Sequence, residues 1–94
     1  MWVLTRSDWP ILVNLAVSAT IGYQQVAKFD TRVRVTATTW EAEHMLADCD
    51  DGDQARALVR HLAHALRQGV GFIDLNQIDF AQMTAAAGIE PSSR

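Results

Sequence analysis

Apolar residues occupy every odd position between residues 11 and 23, whereas most even positions hold polar residues or glycine. This period of two predicts a half-buried β-strand. Because the pattern is longer than a usual strand, we expect a bend or bulge near Ala16 or Gly22. A short strand over residues 2–5 is predicted before it, ended by a turn over residues 6–10.

Two further strands are predicted after this pattern. Residues 31–40 alternate and are rich in β-branched side chains, and residues 43–49 form a shorter, mixed run. Strands that follow one another closely in the chain usually pair with each other, so we expect these three strands to form an antiparallel meander.

A helix is predicted over residues 53–68, with Asp50 or Asp51 as its N-cap and Gly69 at its left-handed C-terminal cap. Its apolar positions are spaced three and four apart and are Ala55, Leu58, Val59, Leu62 and Leu66. The predicted core contacts join Leu58, Leu62 and Leu66 to Val13, Leu15, Val33 and Val35.

The tail predicts a strand over residues 71–75 and a second helix that Asn76 caps and Gly88 ends. The apolar positions of that helix are Ile78, Ala81, Met83 and Ala85. The sequence therefore predicts one α+β domain over residues 1–94. It should consist of an antiparallel sheet of three or four strands, one main helix packed on one face, and a short C-terminal strand and helix. The core is expected within residues 11–87, and residues 88–94 are expected to fray.

Charge and cysteine content indicate which partners and which cellular compartment to expect. The formal net charge is -3, which opposes general attraction to nucleic acid or to an anionic membrane. The single Cys49 cannot form an internal disulfide, which indicates a reducing compartment. Arg6 and the apolar residues 11–17 resemble a secretion signal, but Asp8, Pro10 and Asn14 interrupt that pattern, and we expect a cytoplasmic protein without membrane association.

No arrangement of reactive side chains predicts catalysis. His61 and His64 lie on or near the exposed side of the main helix, where the spacing supplies no complete set of metal ligands. His44 and Cys49 fall on opposite faces of one strand, so the sequence predicts no Cys–His pair. Nucleotide-binding glycine loops and hydrolase motifs are absent from the sequence. We therefore predict no catalytic residue, no metal, no cofactor and no enzymatic activity.

The main helix carries a basic stripe. Four residues fall within one sector of about 80° on the side away from the apolar positions. They are Arg56, Arg60, His64 and Arg67. The stripe could contact an acidic partner or a phosphate backbone. Alternatively it is a solvated face balanced by Asp53 and nearby acids, which is the preferred interpretation.

A second candidate surface lies on the strand over residues 31–40. Arg32, Arg34 and Trp40 fall on the face opposite Val33 and Val35, together with two threonines. Arginine beside an exposed tryptophan is common at the energetic centres of protein interfaces, and the same side chains can stack on unpaired bases. Trp40 could instead turn inward through a bulge and seal the core, and this second placement is preferred.

The order of these elements resembles a group of small proteins. Residues 12–15, the Arg/Val/Thr-rich strand, residues 46–48 and helix residues 55–62 together resemble small uncharacterised bacterial and phage proteins. Those proteins consist of a β-meander with one helix packed across it. The resemblance covers about residues 11–68 and implies this fold, but it implies no activity and no functional residues.

The leading functional hypothesis is a non-enzymatic protein-interaction or regulatory module, with a phage or mobile-element accessory protein as one form of it. Its partner would be another protein of unknown identity, and a homodimer stays open. The second hypothesis is a small nucleic-acid-binding regulator that uses the Arg-rich helix face. An enzyme or metal protein ranks third.

Overall fold

The computed structural model of the protein describes residues 1–28, 30–40 and 42–86. The predicted end of the second helix at Gly88 and the predicted frayed segment 88–94 lie outside the described residues. The predicted α+β class is confirmed, because two three-stranded sheets, one main helix and a short C-terminal helix form the fold.

The N-terminal sheet contains three strands of three residues each. Strand β1 (Trp2–Leu4) lies between β2 (Leu12–Asn14) and β6 (Phe72–Asp74). It pairs antiparallel with β2 and parallel with β6. The sequence analysis predicted both β1 and β6, but not that they pair with each other.

The prediction of one long strand over residues 11–23 was wrong. A 3₁₀ turn over Leu15–Val17 divides this stretch into β2 and β3 (Ser18–Gln25), and the two strands belong to different sheets. The Leu15 amide donates to the Met1 carbonyl at 2.8 Å, and the Asn14 side chain accepts the Ala16 amide at 3.0 Å. The first bond continues the register of β1 and β2, whereas the second is local and takes the place of a ladder bond at the point where a bend was expected.

The meander sheet consists of β3, β4 (Val33–Thr39) and β5 (Glu43–Cys49), paired antiparallel in that order. This confirms the predicted meander. The pairing of β4 with β5 shifts register after Val35, because Val35 lies opposite Ala47 and the next residue lies opposite Met45. Leu46 is therefore the extra residue of a bulge, and it is fully buried.

Helix α1 (Gly52–Arg67) begins and ends through the caps that the sequence predicted. The Asp51 side chain accepts the Gln54 amide at 2.9 Å. At the other end, Gly69 has a φ of 72° and donates to the Leu66 carbonyl, while Val70 donates to the Ala65 carbonyl. These two bonds form a Schellman motif, which requires a left-handed residue and so favours glycine.

The buried side of α1 differs from the predicted stripe at its C-terminal end. Leu58 and Leu62 are fully buried in one core cluster with Val13, Leu15 and Val35, as expected. Leu66 is 45% exposed, so its predicted packing was wrong. Ala65 is buried in its place, because the buried positions continue with a spacing of three after Leu62.

The start of the second helix was also predicted incorrectly. Asp74, rather than Asn76, accepts an amide, and the element that it caps is a 3₁₀ turn over Leu75–Gln77. Helix α2 (Phe80–Ala86) follows, and the Asp79 side chain accepts the Gln82 amide at its start. The Asn76 side chain instead donates to the Thr5 carbonyl at 3.0 Å.

The face that α2 buries also differs from the prediction. Phe80, Met83 and Thr84 are buried, whereas Ala81 and Ala85 are exposed. The Thr84 hydroxyl donates to the Phe80 carbonyl at 2.7 Å, which satisfies this buried polar group within the helix.

One core joins the two sheets and the two helices. Helix α1 packs against all three meander strands and against α2. Val3, Val13, Leu75 and Phe80 belong to the same buried cluster as the meander residues. The Arg6 amide also donates to the Leu46 carbonyl at 2.8 Å, which ties the end of β1 to the bulge of β5. Within the described ranges, no helix has the length and apolar character needed to cross a membrane.

Candidate functional site

The two arginines of the predicted strand surface are both engaged by carboxylates. Arg32 precedes β4 and places Nη2 2.6 Å from Oδ2 of Asp30. Arg34 places Nε 2.7 Å from Oδ1 of Asp48, its register partner on β5. Since each guanidinium already holds an acidic neighbour, little charge is left to attract an acidic partner.

These ion pairs shift the protonation equilibria of their members. Hydrogen bonds from Arg32 hold the pKa of Asp30 below its ordinary value of 3.8. The hydrogen bond to Asp48 raises the pKa of Arg34 above its ordinary value. All four side chains keep between 24% and 55% of their surface exposed, so solvent screens these ion pairs and each contributes little to the stability of the fold.

Trp40 does not turn inward, and the preferred prediction for it was wrong. The strand β4 ends at Thr39, and the Thr39 amide donates to the Ala42 carbonyl at 2.8 Å, which closes a turn around residue 40. The side chain of Trp40 is 85% exposed at that turn. Trp40 follows Arg34 by six positions, which is about 20 Å of extended chain, so the two do not form one compact surface.

The strand face between them is not uniformly exposed either. Thr36, which was expected on the exposed face with Arg34, is 7% exposed. Val35, Thr36 and Ala37 are buried in succession, so both faces of the middle of β4 are covered. The register shift opposite Thr36 accompanies this burial.

The helix stripe is on the surface, as its spacing predicted. Arg56, Arg60, His64 and Arg67 are all exposed. Arg56 forms an ion pair with Asp53, three residues earlier on the helix. His64 and Arg67 lie in the last turn of α1, where basic side chains complement the helix dipole.

The two predicted surfaces lie on opposite sides of the meander sheet. Val33 and Val35 point toward the core that α1 covers, so Arg34 points to the other face. The helix stripe lies on the far side of α1. A small partner therefore cannot contact the strand surface and the helix stripe at the same time.

The structure reveals an exposed apolar surface that the sequence analysis missed, on the N-terminal sheet. Residues that are register partners on neighbouring strands point to the same face. Val3 and Val13 point inward and are buried, whereas Trp2, Leu12 and Phe72 point outward and are about half exposed, at 46%, 50% and 54%. Leu4, which is half-buried, lies beside Leu12 on the same face.

We call this surface the outer apolar face and define it by Trp2, Leu4, Leu12 and Phe72. Asn14 lies beside Trp2, and Asp74 lies beside Leu4, so polar groups stand at two of its corners. A sequence signal existed, because each of the three strands that supply it has apolar residues on both of its faces. Such strands are either buried on both sides or face a partner.

A separate pocket of about 470 Å³ opens between the loop after β1 and the start of β5. Its lining combines apolar and polar side chains and comprises Thr5, Ser7, Asp8, Trp9, Ile11, Val13, Glu43, His44 and Met45. The Thr5 hydroxyl accepts the Ile11 amide at 2.8 Å, which shapes its wall. Trp9 is 87% exposed at this pocket.

Cys49 is buried on β5, and burial raises the pKa of its thiol to about 12. A thiol with this pKa is protonated near neutral pH and is a poor nucleophile. In the part of the chain that the structure describes, no group of three or more His, Cys, Asp or Glu side chains is arranged to hold a metal ion.

Comparison with known proteins adds no family assignment. No protein-family model, curated protein or solved structure matches this chain. The chain's own surfaces are therefore the guide to its function. Of these, the outer apolar face gathers exposed apolar side chains from three strands into a single patch.

Proposed function

We propose that this protein is a non-enzymatic docking module. Its outer apolar face would bind the apolar side of an amphipathic helix that belongs to a protein partner. The observation that carries this proposal is the exposure of Trp2, Leu12 and Phe72 on one face of the N-terminal sheet. Contiguous exposed apolar side chains with polar groups at their edge are typical of interaction sites.

The dimensions of the outer apolar face favour a single helix. Three strands with a spacing of about 4.8 Å and three residues each give a face of roughly 10 Å in both directions. A helix with its side chains is about 10–12 Å across. Within the same domain, α1 already covers an apolar face of the three-stranded meander sheet.

The outer apolar face offers a small contact area, which suits one docked helix better than the broad contact of two folded domains. Half-exposed aromatic and leucine side chains offer on the order of 100 Å² each, or roughly 300 Å² from three of them. A standard interface needs about 800 Å² from each partner. Because Asp74 stands at one corner and the chain has a net charge of -3, we expect basic residues beside the apolar stripe of the partner helix.

A selection with displayed helical peptides tests this proposal. Amphipathic helical peptides that bind the parent protein are selected, and their affinities are then measured for Phe72→Ser and Leu12→Ser. Each substitution should weaken binding by roughly tenfold or more, because each removes an apolar contact. Trp40→Ser is the matched control, since this aromatic side chain is 85% exposed at the turn after β4 and is not part of the outer apolar face.

The proposal predicts that Trp40→Ser leaves the affinity unchanged. Circular dichroism and a denaturant midpoint for each variant show that the fold is intact, since substitutions at exposed positions cost little stability. Peptides that bind Phe72→Ser and Leu12→Ser as tightly as the parent would place the docking site elsewhere. Failure to select any peptide would contradict the helix as the occupant.

A further inference from the structure

Strand β3 forms one edge of the meander sheet. The strand order is β3, β4, β5, and β3 hydrogen bonds to β4 alone among the described strands. It is eight residues long, with the sequence SATIGYQQ, and it contains neither a charged residue nor a proline. Natural sheets usually protect an exposed edge with charge, proline, a short strand or a covering segment.

The other sheet edges carry such protection. Strands β2 and β6 have only three residues each. Strand β5 carries Glu43 and Asp48, and its Leu46 carbonyl accepts the Arg6 amide. The register shift in β3 is confined to its first residues, between Ser18 and Thr20, and pairing is regular from Thr20 to Gln25. Residues 20–25 of β3 therefore form a regular edge without charge, proline or a bulge.

The ladder also defines which backbone groups of β3 face outward. The Val26 amide donates to the Arg32 carbonyl at 3.2 Å, in the same register as the strand pair. In an antiparallel ladder, hydrogen-bonded pairs alternate with non-hydrogen-bonded pairs. Even-numbered residues of β3 therefore bond to β4, and the N–H and C=O groups of Ile21, Tyr23 and Gln25 point away from the sheet.

We infer that β3 pairs antiparallel with β3 of a second copy of this chain, about a two-fold axis at Gly22. In this register Ile21 of each copy exchanges hydrogen bonds with Tyr23 of the other, and both are residues whose backbone groups point outward. The two Gly22 residues form a non-hydrogen-bonded pair at the axis, where backbones approach most closely. The result is a continuous six-stranded sheet.

Side-chain polarity favours a second copy as the occupant of this edge. Two-fold pairing about Gly22 places apolar Tyr23 beside apolar Ile21 and polar Gln24 beside polar Thr20. Tyr23 is 52% exposed in the single chain and would be covered by this contact. Each chain has a net charge of -3, but the paired edges are uncharged, so no like charges meet between the strands.

Moving the two-fold axis by one residue toward the C-terminal end of β3 removes this match. An axis at Tyr23 would place Ile21 beside Gln25, an apolar residue against a polar one. Edge pairing alone covers less area than a standard interface, so we expect a reversible dimer whose population rises with concentration from roughly 10 μM to 1 mM.

Disulfide trapping tests the proposed axis. An added Cβ at Gly22 meets no heavy atom within 4 Å, so Gly22→Cys fits the single chain without a clash. At the axis two such cysteines lie within the Cα distance that a disulfide allows. Gly22→Cys should form a covalent dimer at least about tenfold faster than Gln24→Cys, whose cysteine would lie opposite Thr20. The buried Cys49 thiol is the same in both variants.

Equal trapping rates for the two variants would overturn the proposal, as would a parent protein that stays monomeric at about 1 mM in sedimentation equilibrium. Charged substitutions at the axis give an independent test. Gly22→Lys and Gly22→Glu should each be monomeric, and their equimolar mixture should form a dimer again because opposite charges then meet at the axis. No dimer in the mixture would contradict this pairing. Helix docking on the outer apolar face is measured separately, so the two proposals can fail independently.

Discussion

Trp2 and Phe72 lie side by side as register partners on the parallel strands β1 and β6, each with about half of its surface exposed. The pair brings two strands from distant parts of the sequence into one apolar surface. The arginine-rich segments singled out from the sequence do not form such a surface, since Arg32, Arg34 and Arg56 each hold a carboxylate. Exposed aromatic side chains therefore indicate a docking site in this protein better than the arginines do.

Leu62 should be an essential core residue and Leu66 should not. Leu62→Ala should lower the free energy of unfolding by about 2–5 kcal/mol, because Leu62 is fully buried and its truncation leaves a cavity. Leu66→Ala is the matched control on the same helix. Its side chain is 45% exposed, so the expected loss is below about 1 kcal/mol. Equal denaturant midpoints for the two variants would contradict the packing of α1 described above.

The N-cap of α1 should contribute measurably to stability. Asp51→Ala removes the acceptor of the Gln54 amide and should cost about 1 kcal/mol. Asp50→Ala is the control, because Asp50 engages the helix start through its backbone amide, which donates to the Gln54 side chain. Urea unfolding of both variants measures the difference. A larger loss for Asp50→Ala would mean that the cap has been assigned to the wrong residue.

Asp30 should titrate at a lower pH than an ordinary aspartate. Hydrogen bonds from Arg32 hold its pKa below the ordinary value of 3.8, so the pair stabilises the folded state above that ordinary value. This contribution is lost as the pH falls through the folded-state pKa. Carboxyl shifts followed by NMR should show that Arg32→Ala returns the pKa of Asp30 toward its ordinary value. Arg67→Ala is a distant control, and an equal change in that variant would rule out the local cause.

Cys49 should be unreactive in the folded protein. Burial raises the pKa of its thiol to about 12, so iodoacetamide at pH 8 should modify it only when the chain unfolds. Because the folded-state pKa lies above that of the unfolded thiol, this group favours folding at lower pH. Its contribution declines as the pH rises from the unfolded-state pKa toward the folded one. Rapid modification without denaturant would show that β5 opens readily or that Cys49 is accessible.

Nucleic acid should not bind the helix stripe with useful affinity. The net charge is -3, and Arg56 already pairs with Asp53. If the stripe did bind duplex DNA, log affinity would fall linearly with log salt concentration. Each phosphate contact would make that slope steeper by nearly one unit. Titration of labelled DNA and RNA at several salt concentrations measures this. A micromolar, salt-sensitive complex that Arg60→Glu abolishes and Ala63→Ser preserves would establish the nucleic-acid hypothesis instead.

Local sequence signals determined the parts of the fold that depend on neighbours in the chain. The caps at Asp51 and Gly69 follow from the hydrogen bonds and backbone angles that these residue types favour. The bounds of β5 and the order of the meander follow from alternation and short connections. The solvent-facing position of the helix stripe follows from the helical period alone.

Tertiary structure decided where separate segments meet, and this is where the sequence predictions failed. Alternation continues from β2 into β3, so the pattern cannot reveal that Leu15–Val17 turns the chain from one sheet into another. Nor can it reveal that β6 pairs with β1, since a parallel pair between distant segments leaves no local signal. The outer apolar face depends on both features. Its strands carry apolar residues on both faces, so the sequence does not show which face is buried. Only the assembled sheet places one face against the core and leaves the other exposed.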